Sequence, residues 1–359
     1  MQPDRKSSRS LDTLTFVAAN FMEAKGIGRR TALKGIGVLA TAVATSASGI
    51  ATAADRSVVL AFCGQLLCVI PYEVARTRGY FAEEGLDVKL VYTRGGNAAM
   101  QALVGSASDY AATSFDVALQ AFARGAKIVR FASTGQLPLF ALATAPKTTP
   151  DIRNINDLQG RTIGISGIGN ADHILVIYLM KKAGADPSKV RFVSIGTNLF
   201  EALVRNQVDA GMVQEPALSL ITAEGGRVLM NAMDLADANK YLGGPYEFMG
   251  VAVRAEERQQ RLDEMHRLAR ALEKGLMDTR RLPTEDAVDA LPKVLIAGSA
   301  HRAQLISVLE RYKRSLYPAD AKINTAAANR VVDAHKSAGL LAPSIDAAGL
   351  LDLSVIPQR

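Results

Sequence analysis

The chain has 359 residues, enough for two compact domains, which excludes a small disulfide-stapled module. Its 48% apolar and 21% charged residues are ordinary for a globular protein, so a disordered chain is excluded as well. The net charge of +7 raises the question of a nucleic-acid or membrane partner.

Much of this charge lies at the N-terminus, where residues 1–53 hold seven Lys or Arg and three acids and so carry +4. Arg29 and Arg30 precede an uncharged stretch at 35–54 that includes Ala51-Thr52-Ala53. This layout predicts a twin-arginine-like export leader that is cleaved, leaving a soluble protein in the periplasm. A retained membrane anchor is the alternative. Since the rest of the chain carries only +3, the charge is no argument for nucleic acid.

After the leader, short β-branched runs alternate with helical segments, which predicts an α/β fold with largely parallel sheets. The predicted strands lie at 58–62, 88–92, 110–113, 127–132, 162–166, 190–194 and 210–213. Beyond residue 255 the pattern predicts helices alone.

Part of the sequence recurs at an offset of 100 residues. Ala102-Leu103-Val104 and Asp109 reappear as Ala202-Leu203-Val204 and Asp209. The repeat predicts two lobes of similar design with a cleft between them; chance agreement of small apolar residues is the alternative.

The turns after the predicted strands are rich in Gly, Ser, Thr, Asn and Gln. In open α/β sheets, ligands bind beyond the carboxyl ends of the strands. These residue types cap helix N-termini and leave backbone N–H groups available to a polar or anionic ligand. The turns therefore predict a ligand site in the cleft, with ordinary helix capping as the alternative for any single turn.

Four segments carry a family resemblance: the Gly95-Gly96 turn, residues 160–165, residues 208–216 and the string Gly79-Tyr80-Phe81-Ala82-Glu83-Glu84-Gly85-Leu86-Asp87-Val88. Over residues 57–255 the chain resembles the periplasmic substrate-binding proteins of bacterial ABC importers. The similar group includes nitrate, sulfonate, taurine and thiamine-pyrimidine-precursor binders.

The resemblance implies an α/β, two-lobed type II periplasmic-binding-protein fold with two hinge crossings and a helical C-terminal region. The crossings are expected near 137–145 and 245–253. Lobe 1 is expected at 54–140, lobe 2 at 141–246, and a return to lobe 1 at 247–359, with the C-terminal helices mainly on lobe 1. A membrane permease is the implied partner of a monomeric protein that needs no cofactor, metal or nucleic acid.

The strand-end turns and the resemblance together give the candidate ligand-binding residues: Cys63, Gln65, Gly96, Asn97, Ser114, Asp116, Ser166, Gly169, Asn170, His173, Asn198, Gln214, Glu215 and Tyr246. Asp116 and Glu215 each open a helix, where capping competes with ligand contact. Gln214 stands where an aromatic residue is frequent in the family, and the chain has no Trp, which argues against a ligand that needs an indole wall.

Other residues leave alternatives open. Cys63 and Cys68 are interpreted first as buried or unpaired thiols, with a disulfide, or a metal or thiol-reactive site, as alternatives. Arg94 is either a partner for an anionic ligand or a surface residue. The remaining histidines are interpreted as surface or packing residues of the C-terminal helices: His266, His301 and His335.

The function expected from these observations is capture of a small organic anion, such as a sulfonate or carboxylate, for delivery to the permease. A pyrimidine-like heterocycle is an alternative ligand, stacked on some of Tyr72, Phe115, Tyr178 and Tyr246. A ligand sensor for a membrane signalling protein and an exported enzyme are further alternatives. The enzyme would use Cys63 or Ser166 as nucleophile and His173 or Glu215 as base, but the chain lacks the motifs of the common hydrolases and nucleotide-binding enzymes.

Overall fold

The computed structural model describes residues 57–64, 66–296 and 299–356. The predicted export leader at 1–53 and the candidate Gln65 lie outside these residues. Within the described ranges, no helix has both the length and the apolar character needed to cross a bilayer.

Two five-stranded sheets form the framework. Their strands are β1 Val58–Cys63, β2 Val88–Thr93, β3 Tyr110–Ser114, β4 Ile128–Ser133, β5 Ala141–Thr144, β6 Thr162–Ile165, β7 Arg191–Ser194, β8 Ala210–Val213, β9 Val228–Asn231 and β10 Met249–Arg254. The first sheet has the order β2-β1-β3-β10-β4 and the second β7-β6-β8-β5-β9. We call the region built on the first sheet lobe 1 and the region built on the second lobe 2.

The two sheets share one topology. In lobe 1, β10 runs antiparallel to both of its neighbours, and β1 pairs in parallel with β2 and β3. In lobe 2, β5 has the place of β10, and β6 pairs in parallel with β7 and β8. The predicted two-lobed α/β fold is confirmed, and all seven predicted strands are present to within one residue at each end.

Three strands escaped prediction, namely β5, β9 and β10. The segments predicted as hinge crossings, 137–145 and 245–253, contain β5 and most of β10, so the connections between the sheets are shorter than expected. Strands β5 and β10 are buried along their whole length, whereas β9 is partly exposed. Burial is not the reason for the omission, because β3 and β8 are also buried throughout and are among the predicted strands; β5 and β10 lie in the segments that the resemblance assigns to the crossings.

Helices flank the sheets and continue beyond them. They are α1 Leu66–Thr77, α2 Tyr80–Glu83, α3 Gly96–Val104, α4 Phe115–Ala123, α5 Ala171–Lys182, α6 Leu199–Val204, α7 Ala217–Ala223, α8 Leu235–Asp237, α9 Leu262–Arg281, α10 Thr284–Asp289, α11 Ser299–Leu316 and α12 Thr325–Ser337.

The C-terminal helices contact both lobes. The long helix α9 packs on α1 and α2 of lobe 1, as expected. From lobe 2, however, Asn231 Nδ2 donates to Tyr312 Oη of α11 at 2.9 Å, and Lys181 Nζ donates to the Ala338 carbonyl at 2.7 Å. Helix α11 and the segment that follows α12 therefore contact lobe 2.

The sequence repeat corresponds to the same loop built twice. In lobe 1, Asp109 Oδ2 accepts from the Val59 N–H at 2.8 Å, and the Asp109 N–H donates to the Val59 carbonyl at 2.8 Å. In lobe 2, Asp209 forms the same two bonds with Thr162, at 2.7 and 2.8 Å. Asp109 therefore fixes the register between β1 and β3, and Asp209 fixes the register between β6 and β8.

The chain crosses between the lobes at residues 134–140, between β4 and β5, and at residues 243–248, before β10. These two crossings pair with each other. The Phe248 N–H donates to the Gly135 carbonyl at 2.9 Å, and the Tyr246 N–H donates to the Gln136 carbonyl at 3.0 Å. A Cβ on Gly135 would lie 3.0 Å from the Met249 Cβ, closer than side chains normally pack. The hinge is consequently a tight two-stranded ribbon rather than two independent linkers.

A buried guanidinium anchors one end of this ribbon. Arg130, wholly buried on β4, donates to the Thr113 carbonyl at 3.0 Å and to the Phe248 carbonyl at 2.6 Å. Its charge faces Glu247 Oε1 at 3.3 Å. Burial lowers the pKa of Arg130 and raises the pKa of Glu247, because each charge has lost its water. Removal of either partner would therefore leave the other charge buried and uncompensated, which destabilises the fold.

We predict that Arg130→Met lowers the free energy of unfolding by about 3–5 kcal/mol, because the substitution leaves Glu247 buried without its partner. The double variant Arg130→Met/Glu247→Gln is expected to regain part of this loss in urea unfolding. If the two substitutions destabilise additively, the pair does not have this role.

A second charged network joins the C-terminal region to lobe 1. Arg254 Nε donates to Glu257 Oε1 at 2.7 Å, and Arg261 Nε donates to Glu257 Oε2 at 2.6 Å. Arg261 also donates to Asp109 at 2.5 Å and Glu264 at 2.7 Å. The hydrogen bond from Arg254, followed by that from Arg261, lowers the pKa of Glu257 to about 2.

This lowered pKa predicts acid sensitivity. Ionised Glu257 stabilises the fold fully above the ordinary glutamate pKa of about 4.5, and the stabilisation is lost as the pH falls towards about 2. Glu257→Gln should cost about 1–2 kcal/mol at pH 6 and clearly less at pH 3, measured by urea unfolding. The exposed neighbour gives the control, Glu256→Gln, which should change stability little at either pH. Equal losses for Glu257→Gln at both pH values would contradict the assignment.

Candidate functional site

A cavity of about 420 Å³ lies between the two sheets. Lobe 1 lines it after β1 and β2, with Gly64, Leu66, Thr93 and Arg94. Lobe 2 lines it after β6, β7 and β8, with Ser166, Phe200, Gln214 and Glu215. A narrower space of about 30 Å³ adjoins it and shares Phe140 and Ser166. The cavity therefore lies at the carboxyl ends of the parallel strands, where open α/β sheets bind ligands.

The hinge supplies part of the apolar wall. Phe140 ends the first crossing and Phe248 ends the second, and their rings meet edge to face at 5.8 Å. Phe140 lines both spaces, and Phe248 and Met249 line the narrow one. Because these side chains sit at the ends of the crossings, the wall of the cavity is coupled directly to the hinge.

The lobe 2 rim is held by a buried carboxylate. The Ser166 N–H and Oγ–H donate to the two oxygens of Asp172, at 2.5 and 2.7 Å. Burial raises the pKa of Asp172, and the bonds from Ser166 oppose that rise. Asn170 Nδ2 donates to Ser166 Oγ at 3.0 Å. The Ser166 hydroxyl is thus fully engaged and orients the turn.

One hydrogen bond joins the two rims directly. Asn97 Nδ2 of lobe 1 donates to Asn170 Oδ1 of lobe 2 at 2.7 Å. Asn97 and Gly169 line a separate groove of about 700 Å³ rather than the main cavity. The bond closes the edge of the cleft between these two spaces.

The lobe 1 rim is built from the β3–α4 and β2–α3 turns. Ser114 Oγ accepts from the Val117 N–H at 3.3 Å and so caps α4 while lining the narrow space. Gly96 lines the same space, and a Cβ there would overlap Thr113 Oγ1. A larger residue at the start of α3 therefore fits only if the Thr113 side chain moves.

The two cysteines form no disulfide. Cys63 and Cys68 are both buried, and Cys63 lines the narrow space. Burial, followed by the hydrogen bond with Cys63, raises the pKa of the Cys68 thiol. Both cysteines are therefore buried thiols, which agrees with the first interpretation of the sequence. Among the described residues, no group of three His, Cys, Asp or Glu is placed to hold a metal.

Charge is distributed unevenly around the main cavity. Arg94 lines it, is exposed, and has no ion pair among the described residues. Glu215 lines it too, but its carboxylate accepts from the Ser219 N–H and hydroxyl, both at 3.0 Å, and so caps its own helix. His301 of α11 also lines the cavity, although the sequence placed it among surface or packing residues.

Besides Asn97 and Gly169 on the separate groove, four described candidates lie away from the main cavity and the narrow space. Asp116 and Tyr246 are buried together, with the Tyr246 hydroxyl donating to Asp116 Oδ1 at 3.1 Å. Burial raises the pKa of Asp116. His173 Nδ1 accepts from the Gly169 N–H at 3.1 Å. Asn198 is exposed before α6. Cys63, Gly96, Ser114, Ser166, Asn170, Gln214 and Glu215 are the candidates that line the main or the narrow space.

The sequence model of a family described as NMT1/THI5 like matches residues 68–286, more than half of the chain. The chain belongs to the NMT1/THI5-like family. The matched residues include every strand of the two sheets except β1, as well as the hinge between them, and the resemblance to periplasmic substrate-binding proteins is confirmed.

Solved structures share the fold at low sequence identity. A protein from Bordetella bronchiseptica superposes with a TM-score of 0.74 at 23% identity, covering 83% of this chain and 95% of that one. The periplasmic aliphatic sulphonate binding protein SsuA from Escherichia coli superposes with a TM-score of 0.62 at 17% identity, covering 81% and 95%. The periplasmic-binding-protein fold expected from the sequence is therefore present.

The curated relatives match a smaller share of the chain than the solved structures do. The riboflavin-binding protein RibY of Chloroflexus aurantiacus is 26% identical over 220 residues, 60% of each chain. The 4-amino-5-hydroxymethyl-2-methylpyrimidine phosphate synthase of Schizosaccharomyces pombe is 28% identical over 144 residues, 40% of each chain. This chain matches only about 40–60% of the length of these two proteins, which differ in function: one is a binding protein and the other an enzyme.

We predict that Gly96→Ala destabilises the protein by about 1–3 kcal/mol, because the added methyl group overpacks the rim against Thr113. Thr113 Oγ1 is buried and has no hydrogen-bond partner, so its removal costs little. The double variant Gly96→Ala/Thr113→Ala should therefore be more stable than Gly96→Ala in thermal unfolding. A double variant that is less stable than Gly96→Ala would contradict this account of the rim.

Proposed function

We propose that this protein is the extracytoplasmic solute-binding component of an ABC importer and captures a small organic anion, a sulfonate or carboxylate, in the cavity between its lobes. The observation that carries the proposal is an apolar-walled cavity of about 420 Å³ with the unpaired cation Arg94 at its rim. Apolar walls with a few placed polar groups are typical of small-molecule sites.

The polar groups of the cleft favour a negative ligand. The acid at the main cavity, Glu215, accepts two hydrogen bonds from Ser219 and forms no salt bridge with Arg94 among the described residues, so the guanidinium donors of Arg94 are available to a ligand. Helix α3 begins beside the narrow space with Gly95 as its N-cap, and glycine has no side chain to occupy the first N–H groups. Both a guanidinium and an uncapped helix N-terminus bind anions.

The geometry supports binding rather than turnover. Ser166 donates its proton to a buried carboxylate, and the Cys63 sulfur is hydrogen-bonded to Cys68. His173 accepts from a backbone N–H through Nδ1, and burial lowers its pKa. The pairings required by the enzyme alternative, Cys63 or Ser166 against His173 or Glu215, are not formed among the described residues, and such pairs are the signature of an activated nucleophile.

A pyrimidine-like heterocycle is the second candidate. RibY and the formylaminopyrimidine-binding protein of Halalkalibacterium halodurans, 30% identical over 137 residues, are named for ligands with heterocyclic rings. The aromatic walls available for stacking are Phe140, Phe200 and Phe248. The stacking residues proposed from sequence do not line the cavity: Tyr72, Phe115, Tyr178 and Tyr246.

Ligand capture is proposed to work through the hinge ribbon. The lobes would open and close about the paired crossings, and an anion would favour the closed state because both rims contact it only there. The bonds from α11 and the Ala338 segment to lobe 2 would limit how far the lobes separate. The closed, liganded form would be delivered, as a monomer in the periplasm, to a membrane permease.

The test is calorimetric titration of the protein with ethanesulfonate, taurine, butyrate and an uncharged aminopyrimidine. We expect an anion to bind best, and Arg94→Gln to weaken it at least about tenfold. Arg205→Gln, at an exposed position at the end of α6, is the matched control and should bind like the wild type. Small-angle scattering should show compaction on binding.

Three results would contradict the proposal. The first is binding of the aminopyrimidine alone, with Arg94→Gln unaffected. The second is anion binding without compaction. The third is chemical turnover of a bound compound by the purified protein.

A further inference from the structure

A second pocket lies outside the cleft, where the C-terminal ends of α9 and α11 meet. It has a volume of about 260 Å³ and is lined by Met277, Arg280, Arg281, Arg314 and Ala319. None of these residues lines the main cavity or the narrow space of the cleft. The function proposed above uses none of them.

Three guanidinium groups therefore line one small pocket. None of the three has a salt bridge within the part of the chain that the structure describes. The nearby acids are engaged elsewhere: Asp278 with Tyr80 and Arg78, Glu310 with Lys313, and Asp320 with the Lys322 N–H. The pocket thus gathers three like charges, none of which forms a salt bridge among the described residues.

One of the three guanidinium groups, that of Arg280, is held in place by backbone carbonyls. Arg280 Nη1 donates to the carbonyls of Arg314, at 3.2 Å, and Tyr317, so its guanidinium caps the end of α11. Burial, followed by the charge of Arg314, lowers the pKa of Arg280. The Arg314 carbonyl also accepts from Gln136 of the first crossing at 3.3 Å. The pocket consequently adjoins the hinge segment and combines one fixed guanidinium, that of Arg280, with the two exposed ones of Arg281 and Arg314.

We propose that Arg280, Arg281 and Arg314 form a binding site for a multiply charged oxyanion of the phosphate type, separate from the solute cleft. Guanidinium forks match the oxygens of phosphate bidentately, and three of them balance a dianion better than chloride or a monocarboxylate. The phosphate group comes either from the free ion or from the phosphate-bearing headgroup of an anionic lipid. These two sources share one chemistry and are separated by experiment.

The site is tested by thermal unfolding and calorimetry of the full chain in sodium phosphate against sodium chloride at equal ionic strength. We expect phosphate to raise the unfolding temperature above its value in chloride. The double variant Arg281→Gln/Arg314→Gln should bind phosphate at least about tenfold more weakly. These two side chains are chosen because Arg280 caps α11 and its loss would disturb the fold. Arg311→Gln, an exposed change on the same helix, is the control and should leave the phosphate effect intact.

A vesicle arm separates the two sources. Co-sedimentation with phosphatidylglycerol vesicles that is lost in the double variant, while free phosphate gives only a weak shift, assigns the site to a lipid headgroup. Binding of free phosphate without vesicle binding assigns it to the ion.

Other outcomes overturn the site. These are a phosphate effect no larger than that of chloride, an equal loss in Arg311→Gln, or binding of poly-glutamate without binding of phosphate. The Arg94→Gln variant separates this site from the solute cleft, because it should lose solute binding and keep the phosphate effect.

Discussion

The buried contact between Arg130 and the second crossing is the constraint on which the rest of the molecule depends. The Arg130 guanidinium, which belongs to β4, donates to the Thr113 carbonyl near the end of β3. It also donates to the carbonyl of Phe248, whose ring lines the narrow space. A charge this deep is retained only with polar partners, which here are the two carbonyls and Glu247. The same group therefore fixes the hinge ribbon, the β3 turn and the aromatic wall together, so that hinge and ligand site form one unit.

The duplicated aspartates give the second level of organisation. Asp109 binds β1 and Asp209 binds β6 through equivalent bonds, so the strand-end turns of both sheets are presented in the same way. Two equivalent lobes joined by a short paired hinge place two sets of polar turns opposite each other. The bridging C-terminal helices add a restraint on lobe separation.

The sequence predicted what local pattern controls. The β-branched parallel strands, the repeat and the rim turns at Ser114, Ser166 and Gln214 could be found because their residue types follow from strand and capping chemistry. The antiparallel strands β5 and β10 were missed, because the resemblance assigns their segments to the hinge crossings and only the three-dimensional packing shows that they enter the sheets.

The site was predicted less completely than the fold. Phe140, Phe248 and His301 reach the cavity through hinge and C-terminal segments that only tertiary packing brings there. Asp116 and Tyr246 matched the expected pattern but bind each other inside lobe 1. The inward or outward direction of such side chains is decided by neighbours distant in sequence.

The central claim is that an anionic solute occupies the cavity beside Arg94. Its most direct test is native mass spectrometry of the wild-type protein and the Arg94→Gln variant, each purified from the protein's own host. The account predicts one small acidic molecule retained per wild-type chain and its loss from the variant. A retained molecule that is uncharged, or that both proteins hold equally, would contradict it.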